Sequence, residues 1–225
     1  MAPASARAFE GFLNGGAVDT DVRDWAVRFS RTNVVSNFLP LLMAARLRLP
    51  PDQFLEILDL CEKMAFRTYI LKGARSHAGA QKLNRLSSLV YKSENFDTVI
   101  YKLTLDALST CDNEGMRNAF RPNAVRREWY TWKGLKYFLY EYEEARQLAE
   151  PLKPIVPWSE VGTHTIEHVL PQDTSDPYWK EHLRGRASQA RYLHDLGNLT
   201  LSGAGDNAAM SNASYPVKKG NARAC

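Results

Sequence analysis

The chain has 225 residues, enough for one large domain or two small ones, and its 44% hydrophobic and 24% charged content is ordinary for a globular protein. Its net charge of +4 is too small to indicate a nucleic-acid partner by itself. The longest apolar run, residues 38–45, contains Pro40 and is far too short to cross a bilayer, so we expect no membrane association.

The amino-terminal residues and the cysteines indicate the compartment. The chain begins Met-Ala-Pro-Ala-Ser-Ala-Arg, which lacks the apolar stretch of a secretory signal, so export is not expected. The cysteines at positions 61, 111 and 225 are odd in number and widely spaced, which favours reduced thiols over a disulfide framework. Both observations predict a cytoplasmic protein.

Helical patterns dominate the first two thirds of the chain. We expect a helix over residues 21–49 with a kink or a break at Pro40. Apolar residues recur at helical spacing from Asp52 onward, again over residues 96–103, and again over residues 128–148. Such stripes indicate a packed core rather than cofactor sites.

Three prolines divide the chain. They lie at positions 151, 154 and 157 and mark either a domain boundary or a stiff connector. We therefore predict a helical domain over residues 1–155 and a second domain over residues 156–225.

Basic residues are concentrated in the predicted helical domain. Between Lys63 and Ser93 there are seven Lys or Arg and no Asp or Glu. Phosphate contacts position a protein on DNA without reading bases, so we interpret this segment as a DNA-backbone contact. A solvated face of ordinary basic side chains is the alternative. The residues expected to contact DNA are Lys72, Arg75, Lys82 and Arg85, and a second basic group is Arg117, Arg121, Arg126 and Arg127.

An acid, a histidine and two asparagines near the carboxyl end suit a one-metal phosphodiesterase. Glu167 and His168 are adjacent, and Asn198 precedes Asn207 by nine positions. Hydrolysis of a phosphodiester needs a base, a cation and fixed geometry. His168 suits the base because an ordinary imidazole is largely neutral at neutral pH. The side-chain oxygens of Glu167 and Asn207 suit Mg²⁺ or Mn²⁺.

The secondary structure predicted around these residues is strand, strand, helix. A segment rich in β-branched residues and closed by Pro171 predicts a strand over residues 163–170, and a second strand is predicted over residues 198–202. Asp206 is expected to cap a short helix over residues 207–210. This order would let the histidine on the first strand face the asparagine on the helix across a metal ion.

These motifs resemble those of a known nuclease superfamily. The sequence Glu-His-Val-Leu-Pro at 167–171 resembles the Asp-His-Ile-x-Pro opening of HNH (ββα-metal, His-Me finger) nucleases. Asn198-Leu-Thr-Leu, followed by Asn207, resembles their second and third motifs. The chain has no paired CxxC motifs, so packing rather than zinc must hold such a finger together.

A closer resemblance covers residues 156–220. With His194-Asp-Leu-Gly before the first asparagine, then Ser211-Asn212 and Lys218, this region resembles the C-terminal nuclease domain of GmrSD-type modification-dependent restriction endonucleases. The phosphorothioate-sensing anti-phage nucleases carry the same domain. The resemblance implies the following roles: His168 as general base, Glu167 and Asn207 as metal ligands, Asn198 as the residue that holds the histidine loop, and Lys218 near the phosphate.

The sequence thus predicts a mainly α protein with a helical amino-terminal domain followed by a ββα-metal finger that has a small two-stranded sheet. We expect a metal-dependent DNA endonuclease or nickase of a restriction or anti-phage system. The resemblance also implies an amino-terminal nucleotide-binding sensor domain or subunit that is absent from this chain. The alternatives are a non-catalytic DNA-binding or protein-interaction module with a degenerate finger, and an RNase toxin that would share every catalytic residue.

Overall fold

The computed structural model describes residues 20–93, 95–121, 129–149, 156–183, 186–203 and 210–221. These residues are mostly helical and include a two-stranded antiparallel sheet, which confirms the predicted mainly α class. The chain divides into two compact units, Met1–Arg121 and Pro122–Cys225. The unit boundary therefore lies earlier in the chain than the boundary predicted at residue 155.

The first unit is a set of helices. Their bounds are α1 Thr20–Ser30, α2 Leu39–Arg48, α3 Pro51–Ala65, α4 Ala80–Tyr91, α5 Phe96–Thr110 and α6 Asn113–Ala119. A 3₁₀ turn, Val35–Asn37, precedes α2, and a π-helical segment, Phe66–Leu71, continues α3. Helix α3 contacts α1, α2 and α5, and α4 contacts α2 and α5. The helices predicted from Asp52 and around residues 96–103 are confirmed as α3 and α5.

Pro40 does not interrupt a helix. The break in the segment predicted as one helix falls between α1 and α2, where Asn33 adopts a left-handed φ of 58°. Pro40 lies in the first turn of α2. A proline is tolerated there because the first N–H groups of a helix have no intrahelical partner. The predicted break therefore exists, but it lies a few residues before Pro40, and Pro40 belongs to the first turn of the next helix.

A large apolar core holds the first unit together. Phe38 is fully buried and meets Phe29 edge-to-face at 5.2 Å and Tyr69 at 6.1 Å between ring centroids. Phe54 and Leu103, from α3 and α5, are also buried in this cluster. The apolar stripes predicted from Asp52 onward and over residues 96–103 thus contribute to this core, as expected from their helical spacing.

The second unit combines short helices with the sheet. Its elements are a 3₁₀ turn Trp129–Thr131, α7 Leu135–Ala149, α8 Trp158–Val161, β1 Thr165–His168, α9 Pro177–His182, α10 Arg186–Tyr192, a 3₁₀ turn Leu196–Asn198, β2 Leu199–Ser202 and α11 Tyr215–Asn221. The predicted helix over residues 128–148 begins only at Leu135, so Trp132 precedes it. Helix α7 contacts β2, which explains why it belongs with the second unit.

The two strands pair in antiparallel register. Thr165 lies opposite Ser202, and His168 lies opposite Leu199. Both predicted strands are confirmed, although β1 is shorter than the predicted span of residues 163–170. A small apolar cluster of Tyr140, Val161 and Leu201 packs beside them. The helix predicted over residues 207–210 lies outside the described residues, except for Met210.

Two further sequence predictions concern the cysteines and the membrane. Cys61 and Cys111 are buried free thiols in the first unit, and Cys225 lies outside the described residues. Within the described parts of the chain, no helix combines the length and apolar character needed to cross a membrane.

Candidate active site

The site begins where the sheet ends. Glu167 and His168 are the last two residues of β1 and are both buried, with 9% and 6% of their surface exposed. Just beyond the strand, the backbone N–H of Val169 donates to the carbonyl of Asn198 at 2.9 Å. As expected for consecutive strand residues, the side chains of Glu167 and His168 have different partners.

Asn198 fixes the chain on both sides of the site. Its side-chain Oδ1 accepts from the N–H of Leu170 at 2.5 Å, and its Nδ2 donates to the carbonyl of Leu170 at 3.0 Å and to that of Leu193 at 2.8 Å. These bonds tie the segment after His168 to the segment that carries His194. A buried amide that satisfies three backbone groups is a structural clamp, which agrees with the loop-holding role that the resemblance implies.

Lys218 reaches into the site from α11. Its Nζ lies 2.6 Å from Oε1 of Glu167 and donates to the backbone carbonyl of His168 at 2.6 Å. Only 4% of the Lys218 side chain and 11% of the Glu167 side chain are exposed. This buried ion pair is a finding that the sequence did not predict. The resemblance implies that Lys218 lies near the phosphate, and these two contacts use two of the three N–H groups of its ammonium.

His168 lies against two other rings. Its Nε2 is 3.1 Å from Nδ1 of His194. The ring of Tyr130 lies over both imidazoles, with centroid distances of 4.6 Å to His168 and 5.5 Å to His194. The three residues come from the turn before α7, from β1 and from the loop before β2, and together they form what we call the ring cluster.

The surroundings of His168 favour its neutral form. Burial, together with the nearby His194 and Lys218, lowers the pKa of His168 from 6.5 to about 4. Removal from water disfavours the imidazolium ion, and positive neighbours repel it. His168 therefore carries a lone pair at neutral pH, as a proton acceptor must.

Among the described residues of the site, a carboxylate could supply an oxygen ligand to a metal ion. Glu167 provides it, although Lys218 is bonded to one of its two oxygens. Asn207, the second predicted ligand, lies outside the described residues. Among the residues that are described, no group of three or more His, Cys, Asp or Glu could hold a metal. Carboxylate oxygens of this kind are ligands that Mg²⁺ and Mn²⁺ take, often with several waters retained.

Two residues of the site were missed or left ambiguous by sequence reasoning. Tyr130 carries no motif, and nothing in its neighbourhood in the sequence links it to His168. His194 had a signal, because it lies four positions before Asn198 in the motif segment. His164 precedes β1, and its Nδ1 lies 3.0 Å from the backbone oxygen of Glu160.

The residues predicted to contact DNA belong to the first unit. All four of them, Lys72, Arg75, Lys82 and Arg85, are exposed, on the segment before α4 and on α4 itself. Lys82 forms an ion pair with Asp106 at 2.9 Å. The other three have no ion-pair partner within the described ranges. In the second basic group Arg117 and Arg121 are exposed, whereas Arg126 and Arg127 lie outside the described residues.

Comparison with known proteins gives one match. Residues 112–223 match the family model of GmrSD restriction endonucleases, C-terminal domain. The matched span begins well before the motif segment and includes Tyr130 as well as Glu167, His168 and Lys218. No curated protein and no solved structure matches the chain. The family match supports a GmrSD restriction endonuclease C-terminal region for this part of the chain, and with it a nuclease function of the restriction type.

Proposed function

We propose that this protein is a metal-dependent DNA endonuclease or nickase, the effector nuclease of a restriction or anti-phage system. The observation that carries the proposal is the buried His168 beside Glu167 at the end of β1, with the following backbone held by Asn198, within a region that matches a restriction endonuclease family. The HNH pattern of Glu167, His168, Asn198 and Asn207 adds support from the sequence.

The proposed reaction uses His168 as the general base. Its ring nitrogen takes a proton from a water molecule, and the water oxygen forms a bond to phosphorus. The bond from phosphorus to the leaving sugar oxygen then breaks, and that oxygen is protonated from solvent. Because the pKa of His168 is lowered to about 4, its ring is unprotonated at neutral pH and gives the accepted proton back to water after the reaction.

The proposed metal site uses Glu167 and Asn207. A bound Mg²⁺ or Mn²⁺ ion would neutralise the charge that develops on the phosphate and on the leaving oxygen. Glu167 would supply a carboxylate oxygen, and the ion pair with Lys218 holds this carboxylate in place. Asn198 would act at a distance from the substrate by fixing the backbone around His168.

DNA binding is proposed for the basic face of the first unit. The exposed Lys72, Arg75 and Arg85 would contact phosphates without reading bases. The resemblance further suggests a nucleotide-binding sensor domain or subunit that recognises modified DNA and licenses cutting. Without it, we expect the chain to cut with little sequence preference.

The central test is cleavage of supercoiled plasmid by the full chain with Mg²⁺ or Mn²⁺. We expect conversion to open circle or linear DNA, which EDTA and a folded His168→Ala variant both abolish. The matched control is His182→Ala, because His182 is an exposed histidine of the same unit that bonds only a backbone oxygen among the described residues. It should cut as well as the wild type.

The same assay separates the alternatives. If His168→Ala cuts plasmid as fast as the wild type, the assignment of the base is wrong. Cleavage of single-stranded RNA in preference to plasmid would indicate the RNase alternative. A wild type that binds DNA but cuts neither substrate with either metal would indicate a binding module.

A salt series on DNA affinity tests the proposed backbone contacts. Each phosphate contact contributes about 0.9 to the slope of log K against log salt concentration for duplex DNA. Changing Lys72, Arg75, Lys82 and Arg85 to Ala should make the slope shallower. Lys82 should contribute least, because Asp106 already pairs with it. Arg23→Ala, on the exposed side of α1, should leave the slope unchanged, and an unchanged slope in the fourfold variant would rule out these contacts.

A further inference from the structure

We propose that His194 is a positioning residue that sets the tautomer of His168, with Tyr130 holding both rings in place. The inference rests on the proposed function, because the tautomer of His168 matters to the reaction only if this residue accepts a proton. It adds two residues to the site that act through the base rather than on the substrate.

The hydrogen bond between the two histidines allows only two arrangements when both rings are neutral. Nε2 of His168 and Nδ1 of His194 are 3.1 Å apart, so one N–H lies between them. If His194 donates, the lone pair of His168 is used in this contact and its Nδ1 carries the proton. If His168 donates, its Nδ1 keeps the lone pair. Only the second arrangement leaves His168 able to act as a base.

The second nitrogen of His168 is suitably placed for this role. Within the parts of the chain that the structure describes, Nδ1 of His168 makes no hydrogen bond. A lone pair on this atom is therefore open to a water molecule. An acceptor at Nδ1 of His194 would select the required tautomer, since the hydrogen bond made by one ring nitrogen determines the state of the other.

The ring cluster is held so that the two imidazoles cannot easily separate. Tyr130 lies nearly parallel to His194, with 27° between the ring planes, and at 37° to His168. Asn198 bonds the backbone of Leu193, next to His194, and that of Leu170, shortly after His168. The contact between the two histidines is thus fixed by packing of the Tyr130 ring and by the hydrogen bonds of Asn198 to the backbone.

The direct test is the tautomer of His168 in the ¹⁵N-labelled full chain, read from long-range ¹H–¹⁵N spectra at neutral pH. The signals of His168 are assigned by their loss in a His168→Gln variant. In the wild type we expect Nε2 to be protonated and Nδ1 to be unprotonated. His194→Phe keeps a ring but removes the acceptor, so both tautomers should become populated. His194→Asn places an amide oxygen near the former Nδ1 and should restore the wild-type tautomer.

Plasmid cleavage by the same variants gives the functional readout. Partners that orient a catalytic or metal-binding histidine typically contribute 10- to 100-fold, so we expect kcat to fall by about that factor in His194→Phe. KM should change little, because His194 is not proposed to touch DNA. His194→Asn should recover most of kcat. Tyr130→Ala, which removes the ring that lies over both imidazoles, should also lose kcat.

The outcomes distinguish this inference from the proposed function. A wild-type His168 that is protonated at Nδ1 overturns the inference without any variant. A His194→Phe variant that keeps both the wild-type tautomer and the wild-type kcat overturns it as well. If the wild type cuts no substrate, the proposed function fails, while the spectra of the wild type and of His194→Asn still decide whether His194 sets the tautomer.

Discussion

The two units of the chain bury different kinds of side chain. In the first unit most buried residues are apolar and belong to one large cluster, in which Phe38 and Phe54 are among the largest, and the one buried carboxylate among its described residues, Glu62, pairs with Arg28. The second unit has a small apolar cluster but buries Glu167, His168 and Lys218. Apolar burial stabilises roughly in proportion to area, whereas buried charges cost free energy unless they are paired. The comparison shows an interior that is mainly apolar in the first unit and an interior that includes several charged and titratable side chains in the second.

The largest expected effect is in the apolar core of the first unit. Phe38→Ala should lower the free energy of unfolding by about 3–5 kcal/mol, because a fully buried ring that contacts Phe29 and Tyr69 is replaced by a cavity. Urea unfolding followed by hydrogen exchange of peptides from residues 20–121 measures it. Met43 is an exposed residue of α2, and Met43→Ala should change the free energy of unfolding by about 0.5 kcal/mol or less. Equal losses in the two variants would contradict the core assignment.

The second effect concerns the buried ion pair. Lys218→Met should lower the free energy of unfolding by about 3 kcal/mol, because it leaves the carboxylate of Glu167 buried without its partner. Hydrogen exchange in urea, followed in peptides from residues 156–221, reports it. Lys219→Met, at the exposed neighbouring position, is the matched control and should be nearly neutral.

A double variant sharpens this test. Lys218→Met combined with Glu167→Gln removes both charges, and replacing a buried ion pair by neutral groups often costs little. The double variant should therefore be more stable than Lys218→Met alone. If it is less stable, the loss in the single variant comes from packing of the Lys218 stem and not from an unpaired charge.

The third effect is visible only at acid pH. The pKa of His168 is about 4 in the folded protein and near 6.5 when unfolded, so the unfolded chain binds this proton first as the pH falls. The contribution of the lowered His168 pKa to the free energy of unfolding is fully present above pH 6.5 and is lost as the pH falls toward 4. Between pH 6.5 and pH 4 the free energy of unfolding should fall less steeply with pH in His168→Gln than in the wild type. The difference between the two slopes should correspond to at most one bound proton. His182→Gln should keep the wild-type slope, and identical slopes in all three proteins would show that the pKa of His168 is not lowered.

Much of the architecture follows from local patterns. The spacing of apolar residues from Asp52 and around residues 96–103 predicted α3 and α5, because a helix repeats every few residues whatever it packs against. The two short segments predicted as strands were also found from local residue types, because strand signals such as β-branched residues do not depend on distant parts of the chain. The sequence predictions were wrong mainly about where helices begin and end. Pro40 was expected to break a helix and instead lies in its first turn, since the sequence does not reveal which N–H groups lack a partner.

The candidate site was only partly accessible from the sequence. The motif around Glu167 and His168 and the clamp residue Asn198 could be named in advance because short motifs carry their chemistry in residue type and spacing. Tyr130 could not, because an aromatic residue in a turn has no such signature. The ion pair between Lys218 and Glu167 joins positions 51 residues apart and was likewise not predicted.

The sequence by itself predicted the mainly α class, the two strands and the motif residues Glu167, His168 and Asn198, because helical spacing, each strand segment and each short motif involve residues near one another in the chain. Only the tertiary structure decided what surrounds His168. Burial and the charges of His194 and Lys218 set its pKa, and Tyr130 covers its ring. These properties depend on distances between remote segments and on exclusion of water, which arise only when the chain is folded.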